Sequence, residues 1–165
     1  MNEVRRPTLL TAWLPVFLWL GVITAESTQT MGSANTGRWL LQICHALWGQ
    51  TDGPSFEAIH FLLRKLGHLC GYGFLSLLFF RAWVQTLQGV WKTAMRRIYL
   101  EAARLAVACT FVIACLDELH QRYLPGRTSS FHDVLIDTSG AMLFTVAFML
   151  LLVYRASTRY RNAEI

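Results

Sequence analysis

The chain is 165 residues long, 54% hydrophobic and only 15% charged, with a formal net charge of +5. An ordinary soluble domain carries about 25% charged residues, and large exposed apolar patches are rare on soluble monomers, so the composition excludes a soluble globule and points to one small membrane domain over 1–165. The positive charge lacks the basic motifs interleaved with aromatics that mark nucleic-acid binding, and none is expected here.

In chain order, the first apolar segment covers about 8–24, carries no charge and follows Arg5 and Arg6. A cleaved signal sequence is the alternative, with Ala25 after the apolar stretch. The uncharged run is longer than the usual signal core of about 7 to 15 residues, which favours a retained helix. The next stretch, about 25–63, is too long for a bare connection. Trp39, Leu40, Ile43, Leu47 and Trp48 recur at helical spacing, Asn35 or Thr36 is placed to cap the start, and the tryptophans suit headgroup level. An amphipathic interfacial or re-entrant helix is expected there. Asp52, Gly53, Pro54 and Ser55 then restart the chain, and Pro54 or Ser55 opens a helix that runs into the second span.

That second span covers about 66–84, with Arg81 near one end. The third covers about 100–119, with Glu101 and Arg104 at one end and Asp117 at the other. Spanning a bilayer takes about 20 residues, which places those charges at the interfaces. The fourth covers about 138–154 and ends at Arg155. The fold class is therefore an all-α integral membrane protein of four transmembrane helices, with the amphipathic helix in its first outer loop. Placing the N-terminus inside puts ten of the 15 lysines and arginines on the inner side, Lys92 and Arg161 among them. Five remain outside: Arg38, Arg64, Lys65, Arg122 and Arg127. That asymmetry predicts both termini in the cytoplasm. The four cysteines match no zinc spacing and are read as structural.

The polar residues concentrate near one end of the spans. Lys65, His68 and Tyr72 share a face of the second helix, Asp117, His120 and Gln121 share one on the third, and Asp133, Asp137 and Gly140 share one on the fourth. Gly140 permits close helix approach. Charge beside hydrocarbon is costly and usually faces a cavity or partner, so these faces are expected to converge on one outward pocket, capped by the loop from Tyr123 to His132 with its Pro125-Gly126 turn. Asp137 borders the uncharged stretch and requires a partner, for which Lys65, Arg122 and Arg127 are the candidates. Thr128, Ser129 and Ser130 read as turn residues rather than nucleophiles; His68, His120 and His132 with the carboxylates are the one set offered for a metal, their spacings match no diagnostic pattern, and no metal or cofactor is expected. Arg127 with Lys65 suits a phosphate or carboxylate.

Arg64-Lys65 with His68 and Tyr72, the run Asp117-Glu118-Leu119-His120-Gln121, then Pro125-Gly126-Arg127 and Asp133 through Gly140, in that order, resemble the VanZ-like membrane protein family. Asp137 stands where that family more often has Asn. The resemblance covers about half the chain and implies a bacterial cytoplasmic membrane protein linked to the cell envelope and to susceptibility to the glycopeptide teicoplanin, without supplying a reaction. The leading expectation is a pocket that binds an amphiphilic envelope lipid or lipid-linked headgroup. In it Lys65 and Arg127 hold an anion, Asp117, Glu118 and Asp137 orient the cations or bind sugar hydroxyls, His68, Tyr72 and Gln121 donate neutral hydrogen bonds, and Asp133 also lines the pocket. Two alternatives stand beside it. One is a membrane-embedded transferase or hydrolase with Asp117 or Glu118 as general base and His68 or His120 as acid. The other is a scaffold whose polar residues lock the helices.

Overall fold

The computed structural model describes residues 8–49, 53–91, 93–125, 127 and 129–163. Arg5, Arg6, Asp52, Lys92, Gly126 and Thr128, which the sequence reading used, lie outside the described residues. Among the described residues the chain is all helical: α1 (Leu9–Glu26), a short 3-10 turn (Gln29–Met31), α2 (Ser33–Trp48), α3 (Pro54–Val90), α4 (Met95–Arg122) and α5 (Phe131–Ala163). Three of them, α1, α4 and α5, are long and apolar enough to cross a membrane. The expected second span lies inside α3, whose 37 residues include Gly67, His68, Gly71, Tyr72, Gly73, Ser76 and Arg81, and this polar and glycine content keeps it below the apolarity of the other three.

Helix boundaries depart from the expected spans at the polar ends. α5 opens at Phe131, ahead of the apolar span at about 138, so Asp133 and Asp137 occupy its first two turns, as their common face requires, while His132 belongs to the helix and not to the capping loop. α4 begins five residues ahead of position 100, at Met95. Apolar composition marks only the part of a helix that can face lipid; backbone hydrogen bonding carries the same helix on through polar turns. α3 does open at Pro54, a position where the missing N–H of proline costs nothing. The expected cap of α2 is corrected. Gly32 precedes the helix and no side chain caps it, while the Thr36 hydroxyl donates back to the Gly32 carbonyl at 3.1 Å from within the first turn.

α3 is the central element, packing along α5, α4 and α1. Small residues bring the backbones together: Ala82, Ala102, Ala106, Ala114 and Ala141 are all buried, alongside Ser76, Thr110 and Thr145, and the Ser76 and Thr145 hydroxyls bond at 2.8 Å. The tightest point is Gly140, where a Cβ would stand 2.1 Å from the Leu69 carbonyl oxygen. α1 is fastened to α3 by polar atoms on aromatic and basic side chains. Trp13 Nε1 donates to Thr86 Oγ1 at 3.1 Å, Trp19 Nε1 to the Gly71 carbonyl at 3.0 Å, and Arg81 to the Ala12 carbonyl at 3.2 Å. The outer surface of these helices is apolar, with Phe17, Leu18, Leu143, Val146 and Leu150 exposed. A face of that kind is stable against hydrocarbon rather than water.

α2 turns its polar side to α3 and its apolar stripe away from the protein. Thr36 Oγ1 lies 3.1 Å from His60 Nε2, and Gly37 leaves room for the His60 ring, while Trp39, Ile43, Leu47 and Trp48 are exposed. That division is what a helix resting in a membrane interface needs.

Candidate functional site

The three polar faces meet at one end of the bundle, where α1 ends and α5 begins. Spacing along α3 sets the pattern, because residues three, four and seven apart project from one side. Lys65 forms an ion pair with Asp133 of α5. One turn further, His68 Nδ1 lies 3.2 Å from Asp137 Oδ1. Another turn on, the Tyr72 hydroxyl donates to Asp117 of α4 at 3.0 Å. Asp117 also accepts from Gln121 at 2.8 Å and from the Ser27 hydroxyl at the end of α1, so its charge is held by three donors from three helical segments.

Asp137 is fully buried, and its partner is His68 rather than Lys65, Arg122 or Arg127. The side-chain depth explains the correction: Asp137 faces α3 one turn below Lys65, which is already held by Asp133. Its second oxygen, Oδ2, is buried with no hydrogen-bond partner among the described residues. Glu118 is also buried. Its Oε2 accepts from the Ser130 amide at 2.7 Å, fixing the loop before α5, while Oε1 has no partner among the described residues. Buried carboxylate oxygens in that state cost on the order of kcal/mol each.

Beside this network stand two arginines without a carboxylate in ion-pair contact among the described residues. Arg127 donates from Nη1 to the Met31 carbonyl and from Nη2 to the Glu26 carbonyl, each at 3.0 Å. Arg64 donates to the same Met31 carbonyl at 3.2 Å and to Thr36 Oγ1 at 3.3 Å. Burial first, and the charge of Arg127 second, press Arg64 down from its ordinary value. Both arginines border a cavity of about 200 Å³ together with Glu26, Met31, Thr36, Gly67 and His68. A second cavity, of about 190 Å³, includes Arg64, Arg127, Lys65, Asp133 and Gln121.

Most sequence candidates therefore gather here, but they divide by use. Lys65, Asp133, His68, Asp137, Tyr72, Asp117 and Gln121 bond one another across α3, α4 and α5. Arg127 faces the open space. Glu118 lies apart, under the loop, and His120 is exposed, at an apolar groove between α4 and α1 that Asp117 also lines. Arg64 was overlooked as a site residue. Adjacent to Lys65 in sequence, it points to a different side of α3, towards the turn that follows α1; the helical rotation of about 100° between neighbours was the available signal. Among the described residues no three histidine, cysteine or acidic side chains are grouped to hold a metal.

A model of the VanZ/LLP1 family matches residues 12–152, a stretch that takes in all three polar faces and both arginines. No curated protein and no solved structure matches the chain.

Proposed function

The chain belongs to the VanZ/LLP1 family, and from that premise we propose that it is a bacterial inner-membrane protein whose pocket binds the anionic headgroup of an envelope amphiphile. The carrying observation is the pair Arg64 and Arg127. Two guanidiniums are held towards one cavity by backbone carbonyls, and no carboxylate among the described residues neutralises them at contact distance. Carbonyl acceptors orient a guanidinium without cancelling its charge. A phosphate or carboxylate between the two would supply the missing anion and accept their planar N–H groups.

In this reading α3 is the fourth transmembrane element. Its 37 residues extend about 55 Å, well beyond the roughly 30 Å of bilayer hydrocarbon, so the segment around 66–84 crosses and the Pro54 end stands clear of the acyl region. The pocket then opens on the outer face, and both termini are cytoplasmic. The paired groups on α3, α4 and α5 act as a lock between the helices. Lys65 with Asp133 and His68 with Asp137 fix helix register, and the arginines beside them take the ligand. Envelope properties, including glycopeptide susceptibility, would respond through the lipid that is bound.

Complementation of a deletion strain separates these roles. Arg127→Gln should accumulate and melt like the parent while losing the complementing phenotype, because the side chain borders a cavity and its removal strands no carboxylate. Asp117→Asn should lower abundance or thermal stability, since Asp117 accepts from Tyr72, Gln121 and Ser27 at once. Full complementation by Arg127→Gln at normal abundance would remove that arginine from the function.

A further inference from the structure

The cationic cavity does not end at the arginines. A neck of about 30 Å³ continues from it, sharing Glu26, Gly67, His68 and Arg127, and is walled by Ser27, Tyr72, Gln121 and Asp117. Beyond the neck, and sharing Ile23 and Asp117 with it, lies a groove of about 340 Å³ between α1 and α4. Leu20 and Ile23 form one wall and Ile113 and Leu116 the other, with Thr24 and His120 at the rim. The volume falls within the roughly 300–1,000 Å³ of ligand clefts. α1 packs on α3 and not along α4, and Ser27 to Asp117 ties the two helices at the polar end. The groove below that tie faces the same surroundings as the exposed apolar surface of the bundle.

The neck has a further feature. Gly67 and Gly71 lie one turn apart on α3, both line the neck, and a Cβ at either would meet nothing within 4 Å. Glycine inside a helix costs about 1 kcal/mol relative to alanine, and here no close helix contact requires it. What the two glycines leave is width in the passage between the cationic cavity and the groove.

We infer that the ligand is a single-chain anionic amphiphile, or one chain of a larger one, held in two parts: its phosphate or carboxylate on Arg64 and Arg127, and its hydrocarbon chain in the α1/α4 groove, entered sideways from the membrane. This rests on the headgroup reading above and adds the tail site and the route. Asp117 suits the junction, because its three donors pin it to the wall, where it can accept from a hydroxyl in the linkage and turn an anionic headgroup away from the groove.

The test uses purified full-length protein in neutral maltoside detergent, with binding of dodecyl phosphate and of inorganic phosphate read by native mass spectrometry. Leu116→Trp and Thr24→Trp fill the groove from opposite walls at exposed positions, so neither disturbs the core. Both should weaken dodecyl phosphate by at least about tenfold, the loss of roughly two buried methylenes. Arg127→Gln should weaken both probes, and Leu143→Trp, on the exposed face of α5, should alter neither. Should both groove variants hold dodecyl phosphate as the parent does while Arg127→Gln loses it, the tail site is overturned and the headgroup reading stands. Equal affinity of the parent for the two probes would likewise overturn the tail site, leaving a site for free phosphate. Undiminished binding of both probes by Arg127→Gln, or binding of neither by the parent, would end the headgroup reading and this inference with it.

Discussion

Replacing Gly140 with alanine is the sharpest structural perturbation that the fold offers. The added Cβ would lie 2.1 Å from the Leu69 carbonyl oxygen, 2.9 Å from its carbon and 3.1 Å from its Cα. Carbon and carbonyl oxygen rarely approach closer than about 3.3 Å, so α3 and α5 must part by more than about 1 Å at that level. The obstructing atoms are backbone, and no rotamer change relieves them. Overpacking typically costs about 1–3 kcal/mol, and a rigid obstacle places this case at the upper end. Separation also draws His68 away from Asp137, one turn from Gly140, where the pair already stands at 3.2 Å. A loss of about 3 kcal/mol corresponds to a fall of roughly 6–12 °C in melting temperature for a chain of this size. Thermal unfolding in detergent, followed by tryptophan fluorescence, would read it. Gly21→Ala is the control, since a Cβ at Gly21 meets nothing within 4 Å and alanine favours the helix by up to about 1 kcal/mol. A Gly140→Ala protein that melts with the parent would refute the close approach of α3 and α5, and with it the placement of Asp133 and Asp137 against Lys65 and His68.

Two further outcomes follow from the ends of the bundle. His60, in the second turn of α3, is held below its ordinary value by burial first and by Arg64 second. A histidine of lowered folded-state value favours the packed state when neutral, so its contribution is present above roughly pH 6.5 and is lost as pH falls through the folded-state value. Hydrogen exchange across α2 should therefore quicken on acidification, and His60→Gln should flatten that dependence; a parent profile independent of pH would dismiss the coupling of α2 to His60. For orientation, single cysteines at Ser33 and Ser129 should react with an impermeant thiol reagent in intact spheroplasts and one at Thr93 should not, while labelling at Thr93 would invert the topology.

Much of the site was legible because helical geometry is local. Once Lys65, His68 and Tyr72 are put on a helix, their common face follows from the residue spacing, as does that of Asp133, Asp137 and Gly140. Pairing between faces was not legible in the same way. Assigning Asp137 to an arginine or to Lys65 followed charge alone, and the structure gives it His68 because depth along α3 and α5 decides which groups meet.

By itself, the sequence determined that this protein is helical, that α1, α4 and α5 suit a membrane, and that Lys65, His68 and Tyr72 share one face and Asp133, Asp137 and Gly140 another, since composition and a 3.6-residue period are properties of a single segment. Only the tertiary structure decided which faces touch, that Arg64 joins Arg127 over one cavity, that Gly140 sits against the Leu69 carbonyl, and that α1 and α4 leave a groove between them. Those outcomes depend on the translation and rotation of one helix against another, and small side chains along several faces permit more than one such arrangement until all the helices pack together.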